Sequence, residues 1–144
     1  MTAHLPLTTL LPTQPRAIGS VCVSTKARGR QSVIDGLYQK GAAKIVFPRA
    51  EIGMTGVLLN TSGGVTGGDR FDYRAEAGPG THLTLTSQAC ERAYRAQPGE
   101  MGRVSTTLTV AEGATLWWLP QETLIFDGCA LTRSLTCEVA ETGR

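Results

Sequence analysis

Eleven residues constrain this chain more than any others: Asn60-Thr61-Ser62-Gly63-Gly64-Val65-Thr66-Gly67-Gly68-Asp69-Arg70. Four glycines fall within six positions, and glycine enters φ > 0 without a Cβ penalty, so the stretch reads as a wide, bent connection whose amides can approach another surface closely. Before it, Val57, Leu58 and Leu59 form a short apolar run, the pattern of a buried strand. After it, Phe71, Tyr73 and Ala75 alternate with Asp72, Arg74 and Glu76, the period of a half-buried strand. The expected unit is strand, glycine loop, strand.

A glycine loop after a strand raises the question of nucleotide binding. Gly63 and Gly68 have the G-x-x-x-x-G spacing of a phosphate loop, but Asp69 and Arg70 stand where Lys and Ser/Thr are needed, and no helix follows to hold a phosphate at its N-terminus. The dinucleotide pattern G-x-G-x-x-G is absent. Nucleic acid and membrane partners are not suggested either. The net charge is only +2, the basic residues are scattered among acids, and no span approaches the uninterrupted apolar length of a membrane helix. Pro6, Pro12 and Pro15 interrupt the first sixteen residues and no Lys or Arg precedes their apolar part, which argues against a secretory signal. A soluble, cytoplasmic protein is expected. Cys22, Cys90, Cys129 and Cys137 are well spread without a C-x-x-C pair, which reads as reduced thiols, with neither a zinc site nor a disulfide framework.

At 144 residues the chain suits one domain with a real core. Residues 1–16 read as a flexible arm, with order beginning near Ile18. Strands are expected at Val21–Val23, Ala43–Phe47 (stopped by Pro48), Met54–Leu59, Phe71–Ala75, Leu83–Leu85, Val104–Val110, Leu116–Leu119 and Leu131–Val139. Gly78-Pro79-Gly80 and Ala111-Glu112-Gly113 are turns. Lys26–Arg30 reads as a loop, Gln31–Lys40 is mixed, and Ala89–Ala96 is the only stretch with plausible helix propensity. The fold class is therefore mainly β, a layered antiparallel β domain of short strands with at most one short helix. The alternating strand Leu131–Val139 is followed by no closing element, so the chain reads as truncated at its C-terminus, with an open edge expected to promote association.

Few residues promise catalysis. Gln88-Ala89-Cys90-Glu91 begins like the caspase signature Q-A-C-[RQG]-G, but Glu91-Arg92 departs from it and no His lies about fifty residues upstream, so Cys90 reads as a small buried apolar residue. With His82 the one histidine of the ordered part, Ser-His-Asp and metal-hydrolase schemes lack parts. Four carboxylates lie at loop-like positions: Asp69, Glu91, Glu122 and Asp127. Asp69 can cap the glycine loop, Glu91 can pair with Arg92 or Arg95, and Asp127-Gly128 is an ordinary turn. Glu122 stands beside Trp117, Trp118, Leu124 and Phe126, where burial of an unpaired charge would be costly and a functional reason is expected.

Three segments, in order and spacing, resemble the urease accessory protein UreD (UreH) family: the glycine stretch 60–70, Thr86-Ser87-Gln88-Ala89-Cys90-Glu91-Arg92-Ala93-Tyr94-Arg95, and Trp118-Leu119-Pro120-Gln121-Glu122-Thr123-Leu124-Ile125-Phe126-Asp127-Gly128. Gly41-Ala42-Ala43-Lys44 is similar to that family's early strand. The resemblance implies that residues 17–144 are the N-terminal part of a UreD-like β domain. It also implies a maturation factor that is not an enzyme, working with UreF and the GTPase UreG to deliver nickel to apo-urease. No cofactor is tightly bound in such a role; Ni²⁺ is cargo in transit along an internal water-filled path. Thr86, Ser87, Glu122 and Asp127 would map onto that path, with Asp69 and Glu91 as further candidates. Isolated carboxylates and hydroxyls suit a relay, because clustered His or thiolate would hold a metal of nickel's rank too tightly to pass on. The competing expectation is a purely structural β scaffold that bridges urease to other accessory proteins without touching the metal.

Overall fold

The structure, a computed structural model, describes residues 14–144 and contains eleven strands and, among those residues, no helix. They are β1 (Ile18–Arg28), β2 (Gln31–Gly41), β3 (Ala43–Val46), β4 (Met54–Asn60), β5 (Arg70–Ala77), β6 (His82–Ser87), β7 (Glu91–Ala93), β8 (Gly102–Val110), β9 (Thr115–Leu119), β10 (Thr123–Ile125) and β11 (Leu131–Val139). The arm expected over residues 1–16 lies outside the described residues up to position 13. Its last residue is anchored: Arg16 pairs with Glu100 and packs its stem over Gly68.

The mainly β class holds, but the expected antiparallel pairing does not. Two sheets face each other, one in the order β11-β8-β5-β1-β2 and the other β3-β4-β6-β9. Only β1/β2 and β3/β4 pair antiparallel; β1/β5, β5/β8, β8/β11, β4/β6, β6/β9 and β7/β10 are all parallel. The reason lies in where the turns lead. Gly78-Pro79-Gly80 and Ala111-Glu112-Gly113 do not fold a strand back on its neighbour as a hairpin would; each carries the chain across to the opposing sheet. The next strand of the same sheet is then reached only after a full circuit, and it runs in the same direction. The result is a three-sided coil. Its first turn is β4, the corner at Val65, and β5; its second is β6, β7 and β8; its third is β9, β10 and β11. The antiparallel strands β1, β2 and β3 close the end before the first turn. Period-2 alternation reports which residues face inward and is blind to this difference.

Inward residues stack in columns from turn to turn. Phe71 is in register with Val104, Ala75 with Leu108, and Ala77 with Val110; in the other sheet Met54 is in register with Leu83 and Leu83 with Leu116. Phe71, Leu83, Leu85, Val23 and Val65 are the largest fully buried side chains, each contributing roughly 1.5–3 kcal/mol through removal from water. On the tight-turn side two hydroxyls are buried and satisfied. Thr25 Oγ1 lies 2.8 Å from Thr81 Oγ1 and accepts the Gly78 N–H, while Thr81 Oγ1 donates to the Gly78 carbonyl at 2.7 Å.

The helix considered for Ala89–Ala96 is replaced by β7. Its backbone is captured on both sides: the Val65 N–H donates to the Arg92 carbonyl (2.7 Å) and the Tyr94 N–H to the Val65 carbonyl (2.8 Å), while Glu91 and Phe126 N–H groups donate to Glu122 and Ala93 carbonyls. Those partners come from neighbouring turns of the coil, so tertiary pairing overrides local propensity.

Candidate functional site

The corner that carries β7 and β10 is also the corner that carries all three motifs. Residues 60–70, 86–95 and 118–128 occupy the same place in the first, second and third turns and lie one upon another, joined by the hydrogen bonds just described. Glycine is required in the first of them for close approach. A Cβ on Gly64 would overlap the Tyr94 ring and come within 2.7 Å of the Arg92 carbonyl, the same carbonyl that accepts the Val65 N–H.

Behind this corner, between the two sheets, lies a cavity of about 230 Å³. Each turn contributes to its wall. Asn60, Gly63 and Tyr73 come from the first, Ser87, Gln88, Cys90, Glu91 and Val104 from the second, and Trp118, Gln121 and Arg133 from the third. It therefore runs along the stacking direction. Its polar groups are specific: Asn60 Nδ2 donates to both Glu91 carboxylate oxygens (3.2 and 3.3 Å) and to the Gly64 carbonyl (2.9 Å), and Ser87 Oγ accepts the Gln121 N–H at 2.9 Å and donates to the Ala89 carbonyl at 3.1 Å. Burial holds the Tyr73 phenol well above the usual tyrosine range, the Glu91 carboxylate adds to that, and Arg133 opposes it. The cavity lining thus combines Glu91 with two arginines, Arg92 and Arg133, and an un-ionised phenol.

The six expected metal-path residues separate into distinct settings. Ser87 and Glu91 face the cavity. Thr86, the preceding residue of β6, points to the outer face of the sheet in register with Val57 and Leu119, and donates to the Leu119 carbonyl at 2.7 Å. Asp69 is 4% exposed, with Oδ1 accepting the Ala17 N–H and Oδ2 the Thr66 N–H, both at 2.8 Å. It ties the glycine loop to the start of β1. Asp127 is solvent-exposed and bound to Arg95 at 2.5 Å. Glu122 corrects an expectation: it is exposed, as are Trp117, Leu124 and Phe126 around it. These residues belong to the third turn, on which no further turn lies among the described residues, so proximity in sequence to large apolar side chains does not bury the charge. Cys90 is likewise not fully buried but half-exposed at the cavity wall; all four cysteines are free. His82 packs edge-on against Trp117, ring centroids 4.7 Å apart, on the outer face.

Sequence reading missed Asn60, Tyr73 and Arg133. For Arg133 a signal existed. The inward positions of β11 are Leu131, Arg133, Leu135, Cys137 and Val139, and Arg133 interrupts an otherwise apolar series; it is in register with Val104, itself in register with Phe71. Among the described residues no three His, Cys, Asp or Glu side chains are grouped to hold a metal ion, and no helix is long and apolar enough to cross a membrane.

Residues 17–144 match the family described as UreD urease accessory protein. The chain is similar to the urease accessory protein UreD of Ruegeria pomeroyi, 55% identical over 118 residues, covering 81% of this chain and 46% of that protein. Against the UreD of Roseobacter denitrificans it is 50% identical over 127 residues (88% and 46%), and against that of Sinorhizobium medicae 48% over 126 residues (87% and 45%). The chain spans about half the length of the curated relatives it matches.

Proposed function

Because the chain belongs to the UreD urease accessory protein family, we propose that it forms part of a maturation factor that delivers nickel to apo-urease, without catalysing a reaction of its own, in the cytoplasm and in complex with UreF and the GTPase UreG. The observation that carries this reading is the cavity behind the corner, which draws its wall from all three turns of the coil and holds Ser87 and Glu91 on one inner surface. A lone carboxylate flanked by hydroxyl, amide and phenol oxygens is a weak oxygen-donor environment, and a cargo ion must be released as readily as it is taken up. Asn60 orients the carboxylate, as outer partners of a ligand generally do. Asp69 serves this function indirectly by holding the glycine loop; Glu122 and Asp127 are exposed at the solvent side of the same corner and would meet the ion outside the cavity, and Thr86 lies behind Ser87 on the opposite face.

The test is nickel content of urease matured with the complete accessory protein carrying Glu91→Gln, Ser87→Ala, or Glu122→Ala with Asp127→Ala. The reading requires that Glu91→Gln lower the nickel count while co-purification with urease and the other accessory proteins is retained. Full nickel with every variant would favour the bridging scaffold, for which the exposed Trp117, Leu119 and Ile52 on the outer face supply a surface.

A further inference from the structure

Arg133 is an anomaly of position. The two preceding residues of its inward column are Phe71 and Val104, both buried and apolar, and the third turn places a guanidinium there instead. It lines the cavity together with Glu91, and it is restrained from the corner: Arg133 Nη1 donates to Thr123 Oγ1 at 2.7 Å. Among the described residues β9, β10 and β11 are the outermost strands of their sheets at the third-turn end, so Arg133, Trp118 and Gln121 form one end of the cavity.

Resting on the nickel-passage reading, we propose that Arg133 is a charge gate at the third-turn end of the cavity, setting how tightly a divalent cation is held there, with Thr123 holding the guanidinium aside from the Glu91 carboxylate. The chemistry is electrostatic. Glu91 is the one carboxylate in the cavity lining, and Arg92 and Arg133 oppose it; each guanidinium lowers the affinity for a divalent ion, and an entering ion is bound weakly enough to leave. A unit charge within about 8 Å of a divalent ion in water-like surroundings changes its affinity by about fivefold. Tyr73, held un-ionised on the same cavity wall, adds a dipole and no charge. An inward-pointing charge on an outer strand can also serve only to discourage strand pairing, and that alternative makes a different prediction.

The experiment is equilibrium dialysis with nickel alone on the full chain, fused to a carrier for solubility and without a histidine tag, the carrier's own uptake being subtracted. Arg133→Met should tighten nickel binding by about fivefold, an increase that shrinks as salt screens the charge. Thr123→Val, nearly isosteric, releases the guanidinium toward Glu91 and should weaken binding by about threefold. A structural defect would move both variants the same way, whereas the gate moves them in opposite directions. The gate is overturned if Arg133→Met leaves nickel affinity unchanged while Glu91→Gln abolishes it; that result spares the passage reading and leaves Arg133 as an edge-protecting charge. If Glu91→Gln binds nickel as the unaltered chain does, the passage reading fails and the gate fails with it.

Discussion

In the first turn of the coil the corner carries a carboxylate, Asp69, that is 4% exposed and spends both oxygens on backbone amides; in the third, the equivalent corner carries Glu122, exposed, and Asp127, whose side chain is 94% exposed with one arginine partner. The residue class is the same and the consequence is opposite. Burial under a neighbouring turn converts a carboxylate into a structural clamp, because its charge must be matched by directed donors before the site can close. Without a covering turn the carboxylate stays hydrated and available. Position along the stack, more than local sequence, decides which acids are free for chemistry.

The comparison breaks most readily at its buried end. Asp69→Ala removes two charge-assisted hydrogen bonds and leaves the Ala17 and Thr66 amides unmatched, a loss of about 3–5 kcal/mol. Equilibrium urea unfolding measures it, and a loss below about 1 kcal/mol would show that the loop holds itself without its clamp.

The next largest effect concerns the uncovered end. Among the described residues β11 pairs with β8 on one side only, and Leu135 and Val139 on its inward face are 52% and 55% exposed. An open, partly apolar strand nine residues long is a template for another chain. Residues 1–144 should therefore associate at micromolar concentration, and replacing Leu135 and Val139 by Lys should shift the population toward monomer. Size-exclusion chromatography with light scattering reads both; a stable monomer of the unaltered chain would mean that the edge is already protected.

Between the two ends, the cavity makes a prediction at alkaline pH. An unfolded tyrosine loses its proton near pH 10, and burial holds the Tyr73 phenol protonated to higher pH. Above pH 10 the native state thus keeps a proton that the unfolded state has released, so stability falls as pH rises there, with no contribution from this group below pH 10. Tyr73→Phe should flatten that alkaline decline in a thermal-unfolding series. An unchanged slope would place the decline elsewhere.

The smallest effect sharpens the contrast with Asp69. Asp127→Ala removes an ion pair in open solvent and Glu122→Ala removes no side-chain partner among the described residues, so each should alter stability by less than about 0.5 kcal/mol. A loss comparable to that of Asp69→Ala would mean that the third corner is as tightly built as the first.

Much of this was legible in the residues themselves. Glycines at 63, 64, 67 and 68 specified the bend, the apolar parity of Phe71, Leu83, Leu85, Val104 and Leu108 identified the core face, and Pro48 and Gly80 marked ends, because each of these depends on backbone sterics or on a side chain's own hydrophobicity. The mixed stretch at Gln31–Lys40 became β2, and of the loop at Lys26–Arg30 only Gly29-Arg30 remained a turn while Lys26–Arg28 became the end of β1, since an eleven-residue antiparallel pair supplies hydrogen bonds that no local pattern announces.

What only the tertiary structure decided is direction and company. Alternation fixes which side of a strand is apolar and carries no information on whether a turn leads back to the same sheet or across to the other, so parallel stacking was invisible until the strands were paired. That stacking brings Asn60, Tyr73, Glu91 and Arg133 to one cavity from positions far apart in the chain. The same geometry buries Asp69 and exposes Glu122, because desolvation depends on what lies on the neighbouring turn and not on the residues beside a carboxylate in sequence.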